Sequence, residues 1–309
     1  MNRIVAMYLA LAAVWGSSFL CMKVGLEGLA PAQVVLARVV LGATALVVVA
    51  LATRAAWPRG VRQWGHLAVL GVLLCVVPFL LFAWAGERVP SSLSSILNAT
   101  TPLMTALASA ALLPTERLTR RQRYGLALGA VGVVVVVGPW DAVRSLATAA
   151  PLTAVLACLG ATACYGIGMT YLRRFVTPLG LPPVTVAVGQ VGVAAVLMLL
   201  AAPVVATAPV HLTTSAVLAM VALGALGTGL AYMWNTTVVG AWGAQRASTV
   251  TYLTPLVGVV LGVLVLGERL HWYEPVGGLL VVAGVVVAQR ARARTVAPPR
   301  GSDLAEVRG

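Results

Sequence analysis

The chain is poor in acidic residues. Eight Asp and Glu stand against 21 Lys and Arg in 309 residues. None of the eight falls inside a long apolar run: Glu27, Glu87, Glu116, Asp141, Glu268 and Glu274 sit at run ends or between runs, and Asp303 and Glu306 lie in the last residues. Intramembrane proteolysis by paired aspartates and metal-dependent prenyl or phosphatidyl transfer both need carboxylates at membrane depth, so this distribution argues against them. There is also no H-E-x-x-H helix and no Walker loop, and Gly227-Thr228-Gly229 lacks the context of a nucleophile elbow. Cysteine is equally scarce. Cys21, Cys75, Cys158 and Cys164 have neither metal-ligand spacing nor a disulfide framework, and they read as small hydrophobes. The sequence therefore predicts no enzyme, no metal and no cofactor. His66, His211 and His271 fall near run ends and read as interfacial groups.

What the chain has is apolar length. Hydrophobic residues make up 60% of it and charged ones 9%, with a mean hydropathy of +0.97, well outside the composition of a soluble domain. A bilayer core about 30 Å thick takes roughly 20 helical residues to cross. Ten runs qualify, at about 4–22, 31–52, 67–85, 91–113, 124–140, 152–172, 184–204, 215–236, 247–266 and 273–288. None alternates as a barrel strand does. Residues 3–20 resemble a signal peptide, yet the stretch continues through Trp15 with no small-residue cleavage site, so it reads as a first span.

A net charge of +13 invites a nucleic-acid reading, and the placement of the charges argues against one. With the N-terminus inside, sixteen basic residues face the cytoplasm, including Arg54, Arg59 and Arg62, then Arg120, Arg121 and Arg123, then Arg290, Arg292 and Arg294. Lys23, Arg88, Arg144 and Arg269 face the other side, and Arg38 lies within a span. This asymmetry predicts both termini in the cytoplasm, and the expected location is the bacterial cytoplasmic membrane. The partners it implies are the lipid bilayer and a small-molecule solute, with no nucleic acid.

The halves repeat each other. Trp15-Gly16 matches Tyr165-Gly166, Lys23 matches Arg173 and Trp84 matches Trp234; Thr101-Pro102 matches Thr254-Pro255; Glu116-Arg117-Leu118, Gly125 and Gly132 match Glu268-Arg269-Leu270, Gly277 and Gly284. The offset stays near 150 residues and shifts only at loops, as a true duplication requires. Five spans per copy is an odd number, so the second copy enters from the opposite side. The expected fold is an all-α integral membrane protein of ten transmembrane helices in two inverted five-helix repeats, 4–140 and 152–289. Residues 290–309 are expected to form a disordered basic tail. Inverted repeats with a midplane site between them are a recurrent construction of secondary transporters.

Each copy opens with an aromatic-glycine step and closes with a Pro-bearing helix, an E-R-L turn and a Gly-rich helix. In this the chain resembles the drug/metabolite transporter superfamily, specifically its EamA-like ten-span members, over residues 4–289. That resemblance implies transport, often export, of small metabolites such as amino acids. Related branches move lipid-linked or nucleotide sugars, which leaves a second reading open. Four-span multidrug exporters of the superfamily use a carboxylate in the first helix; here that region offers Trp15, Ser17 and Ser18.

Candidate site residues follow from polarity in an apolar setting. Ser91, Ser94, Ser95, Asn98, Thr101, Thr105 and Ser109 form one stripe on the fourth run, and Ser248, Thr251, Tyr252 and Thr254 form a sparser one on the ninth. Pro102 and Pro255 each free a carbonyl about a turn earlier, and broken helices at matching places point to a transporter's cavity. The aromatic candidates are Trp15 and Tyr165, with Trp234 beside Asn235; Ser18 lies one turn from Trp15. Arg38 is the one charge inside a run, roughly 10 Å deep at 1.5 Å per residue, with Gln190 as its repeat mate. It reads either as half of a structural ion pair, with Glu87 first and Glu27 second, or as an attractor for a solute carboxylate. Glu116 and Glu268 are expected to cap the next helix or pair with an Arg in their loops. The glycine rows at Gly125, Gly129 and Gly132 and at Gly277, Gly278 and Gly284 suit close helix packing, within the chain or in a homodimer.

Overall fold

The computed structural model describes residues 3–113, 118–138, 150–242 and 249–295. Glu116, Ser248 and the tail beyond residue 295 lie outside the described residues. All regular structure among the described residues is helical. In chain order, α1 comprises Arg3–Gly16 and Ser18–Gly25, α2 is Pro31–Ala52, and α3 runs Val61–Gly71, a π-helical Val72–Val76 and Val77–Gly86. Next, α4 comprises Ser91–Asn98 and Thr101–Leu112, α5 is Arg120–Val137, and α6 is Ala150–Tyr171 with a π-helical extension Leu172–Val176. Then α7 is Pro183–Val205, and α8 runs Thr214–Val221, a π-helical Ala222–Leu230 and Ala231–Trp242. Last come α9, Val250–Leu266, and α10, Tyr273–Thr295.

Seven of these stretches are long and apolar enough to cross a membrane: Arg3–Gly25, Pro31–Ala52, Val61–Gly86, Ser91–Leu112, Leu152–Leu179, Pro183–Val205 and Thr214–Asn235. The chain is a multi-pass membrane protein. Of the other three, α5 opens on Arg120, Arg121 and Arg123, α9 has 17 residues, and the apolar part of α10 is Tyr273–Gln289. Large apolar side chains face outwards, as at Val204 (80% exposed) and Leu264 (76%), which suits lipid rather than water.

Local sequence sets the helix ends. Pro31 and Pro183 start α2 and α7 at the first turn, where a missing N–H costs nothing. Gln33 Oε1 accepts from the Ala30 amide at 2.8 Å, and its Nε2 donates to the Ala206 and Ala208 carbonyls at 3.1 and 2.6 Å. One side chain thus opens α2 and holds the end of α7. Gly267, at φ 64°, ends α9 in the left-handed conformation that glycine adopts without strain.

The packing follows a pattern. α2 lies against α7 and the π segment of α8, while α7 lies against α2 and α3; α4 packs on α6 and α9, α9 on α1 and α4; α3 also meets α6, and α8 meets α1. The pair α5 and α10 stands somewhat apart, glycine face to glycine face. A Cβ on Gly125 would come 2.5 Å from the Gly284 carbonyl oxygen, and one on Gly132 would come 2.6 Å from the Val281 nitrogen.

Candidate functional site

The first cavity lies where both halves meet, partly open, with a volume of about 210 Å³. Trp15, Ser18, Phe19 and Met22 reach it from α1, Arg38 from α2, Leu74, Phe79 and Phe82 from α3, and Asn98 and Thr101 from α4. The second half contributes Tyr165 and Met169 from α6, Gly227, Thr228 and Tyr232 from α8, and Thr251 and Thr254 from α9. A second cavity of about 220 Å³ shares Thr101, Met169 and Thr251 with the first and adds Pro102, Thr105, Ala106, Gln122, Ala288 and Gln289. It extends towards the end of the bundle where α5 begins. Tyr252 lines neither cavity; its hydroxyl bonds to Gln289 and so links α9 to α10.

The aromatic-glycine steps turn out to have two uses each. A Cβ on Gly16 would sit 2.5 Å from Val257 Cβ, and one on Gly166 would sit 2.6 Å from the Met104 carbonyl carbon. Each glycine therefore lets α1 approach α9, or α6 approach α4, and the aromatic one residue earlier projects into the first cavity. The Trp15 Nε1–H donates to the Gly227 carbonyl at 3.2 Å, closing one of the groups that the π-helical register leaves open.

The proline breaks satisfy themselves. Pro102 frees the Asn98 carbonyl and Pro255 the Thr251 carbonyl, and the threonine just before each proline supplies the missing donor. Thr101 Oγ1 donates to the Asn98 oxygen at 2.8 Å and Thr254 Oγ1 to the Thr251 oxygen at 3.2 Å. Replacing Thr101 or Thr254 by Val should lower thermal stability in detergent by about 1 kcal/mol, with Ser at either position restoring it. Equal stability of both Val forms would show that water or another donor closes these carbonyls.

Arg38 is the charge in the cavity wall. Its guanidinium stacks on Phe79, 3.7 Å from the ring centroid, and its Nε donates to Thr228 Oγ1 at 3.2 Å. The expected counter-charges lie elsewhere. Glu87 pairs with its neighbour Arg88 at 2.7 Å, the one ion pair among the described residues, and Glu27 pairs with no cation among them. Sequential neighbours on a helix end reach each other more easily than Glu87 reaches the depth of Arg38. Gln190 is buried behind the wall rather than in it, with Nε2 3.3 Å from the Tyr232 hydroxyl.

Other candidates fall outside. Trp234 and Asn235 line neither cavity. Tyr232 does, and two residues along a helix is about 200° around it, so Trp234 faces away. Pro255 is buried within α9. Phe19, Phe79 and Phe82 gave no signal in a sequence where apolar residues are the background. Thr228 and Tyr232, four apart on α8, carried the usual signal of one polar helix face.

Glu268 forms a cap across the bundle. Its carboxylate accepts from the Ser91 and Ser92 amides at 2.6 and 2.9 Å and so closes the N-terminus of α4, not that of the helix after it. α10 is opened by its own Glu274, which accepts from the His271 amide at 2.9 Å. Burial pushes the Glu268 carboxyl up, but the Ser92 and Ser91 groups together outweigh burial and hold it below the usual carboxylate value. A carboxyl lowered by folding contributes stability above its unfolded value, and that contribution fades as pH falls through the folded one. Glu268→Gln should therefore cost about 0.5–2 kcal/mol at neutral pH. The gap between the two proteins should begin to narrow as pH falls below the ordinary carboxylate value of about 4 in thermal unfolding, and close further into acid; a gap that does not narrow in acid would remove the cap from the explanation.

Comparison with known proteins settles what kind of molecule holds this cavity. Residues 2–138 and 152–289 each match the model of the EamA-like transporter family. The chain belongs to the EamA-like transporter family. It is 29% identical over 278 residues to a probable terminal-alkyne amino-acid exporter of Streptantibioticus cattleyicolor, covering 89% of this chain and 90% of that one. It is 23% identical over 291 residues to a probable amino-acid metabolite efflux pump of Salmonella typhimurium, covering 90% and 92%. A solved crystal structure matches with a TM-score of 0.65 at 20% identity, over 93% of this chain and 98% of its own, a likeness of fold.

Proposed function

We propose that this EamA-family chain is a secondary transporter that exports a small amphipathic carboxylate, of the amino-acid class, across the bacterial cytoplasmic membrane. The observation that carries this reading is Arg38, a cation in the wall of the cavity between the halves with no carboxylate paired to it among the described residues. A half-buried charge at membrane depth is costly until an anion joins it, and a solute carboxylate is an anion that can come and go. The aromatic wall of Trp15, Phe19, Phe82 and Tyr165 suits an apolar side chain. Asn98, Thr101, Thr251 and Thr254 supply the polar edge. A volume of about 210 Å³ has room for a small metabolite. The amino-acid exporters among the relatives support the same class.

The mechanism is alternating access between inverted repeats, 4–140 and 152–289. Replacing each helix in the packing pattern by its mate five places on returns the same pattern: α2 with α8 becomes α7 with α3, α1 with α9 becomes α6 with α4, and α5 with α10 maps onto itself. Two antiparallel copies about a pseudo-twofold would pack this way. The ten helices then all span, and both termini face the cytoplasm. In that frame the second cavity is a vestibule open to the cytoplasmic side, while the Glu268 cap on α4 and the Gln33 bonds to Ala206 and Ala208 close the outer end. The described state is inward-facing.

Counterflow in proteoliposomes tests the reading. The purified protein should exchange labelled leucine, methionine or phenylalanine across the bilayer. Exchange of a nucleotide sugar but of no amino acid would overturn it.

A further inference from the structure

The cavity has a cation for a carboxylate but nothing of matching quality for an amine. None of its lining residues is acidic, and the sequence places no Asp or Glu inside any apolar run. The acceptors that the broken helices offer are uncharged carbonyls, and each already receives one donor: Asn98 O from Thr101, Thr251 O from Thr254, and Gly227 O from Trp15. The Phe79 face, which could have met a cation, is covered by the Arg38 guanidinium, and that guanidinium repels a second positive charge across a low-dielectric space. An ammonium carries three donors and no acceptor, and neutral oxygens offset the desolvation of its charge less fully than a carboxylate would.

We propose that the site reads the carboxylate of its solute and leaves the amine unread, so that it takes amphipathic monocarboxylates generally, N-acylated amino acids and 2-hydroxy acids included. This rests on Arg38 as the carboxylate anchor. The apolar part of the solute lies among Trp15, Phe82 and Tyr165, and the position of the former amine needs only one weak acceptor, for which the Asn98 side chain suffices. An acyl amide or a hydroxyl meets that demand at lower desolvation cost than an ammonium does.

Thermal-shift titration of the purified protein separates the possibilities, because a solute at free concentration L that binds the folded state stabilises it by RT ln(1 + L/Kd) and so raises the unfolding midpoint according to its affinity. The probes are leucine, N-acetyl-leucine, 2-hydroxy-4-methylpentanoate and leucinamide, with the phenylalanine series in parallel. The expected result is that the N-acetyl and hydroxy acids bind within about threefold of the free amino acid or better, and the amides at least tenfold more weakly. Free amino acids binding tenfold more tightly than both amine-free acids would overturn this inference and leave the carboxylate anchor standing. Amides binding as well as acids, or no response to any carboxylate at millimolar concentration, would overturn the anchor itself.

Discussion

Replacing Arg38 by Gln should lower the apparent affinity for carboxylate solutes by roughly ten- to 150-fold while the protein remains folded in the membrane. The magnitude follows from one lost charge-assisted hydrogen bond, about 1.5–3 kcal/mol, at 1.4 kcal/mol for each tenfold. Gln can place its amide nitrogen where Nε stood and still reach Thr228 Oγ1, while it removes the charge and the guanidinium plane that stacks on Phe79. Lysine at this position should recover only part of the loss, because it restores the charge without the planar fork that holds a carboxylate by two bonds. Transport into proteoliposomes and the midpoint of thermal unfolding read the two effects apart. Transport lost with an unchanged midpoint fits an anchor. A lower midpoint with unchanged affinity for the remaining folded protein would make Arg38 a structural charge.

The second large effect is expected at the crossing of α5 and α10. Gly284 is open to no side chain: a Cβ there would meet the Gly125 carbonyl oxygen at 2.5 Å and the Gly129 nitrogen at 2.6 Å, both backbone atoms that cannot swing away. Gly284→Leu should cost about 3 kcal/mol or more, at the upper end of overpacking, and should leave little folded protein in the membrane. Gly192 offers a control, since nothing lies within 4 Å of a Cβ there and Gly192→Ala should be neutral or slightly stabilising. Wild-type yield and midpoint for Gly284→Leu would mean that the two helices can separate without cost.

How far the sequence could be read depended on which residues stand out from an apolar background. Trp15 and Tyr165 reach the first cavity because each is followed by a glycine that sets a helix crossing, and that pair is visible as a repeated dipeptide. Thr101-Pro102 and Thr254-Pro255 were visible for the same reason, although their carbonyls are closed by their own threonines. Arg38 was visible as a charge, but its partners were not. The sequence pointed to Glu87, while the bundle gives Arg38 an aromatic ring and a threonine. A ring among sixty per cent hydrophobic residues has no signature until helices are packed.

Helix register hid more. The π-helical segments at Val72–Val76 and Ala222–Leu230 occupy corresponding places in the two halves, and each shifts the phase of the residues that follow. A regular 3.6-residue count cannot foresee that shift. The role of Glu268 was hidden for a different reason. A cap on a helix from the other half depends on tertiary contact, and the loop sequence alone suggested a local one.

The central claim is that the paired cavities form a solute path now open to the cytoplasm. Thr105 lines the second cavity, one turn from Thr101, which lines both. With Cys21, Cys75, Cys158 and Cys164 replaced and Thr105→Cys introduced, a membrane-impermeant maleimide should react from the cytoplasmic face of oriented vesicles, and a transported carboxylate should slow the reaction. Labelling from the opposite face alone, or at a rate indifferent to solute in vesicles that still transport, would contradict that claim.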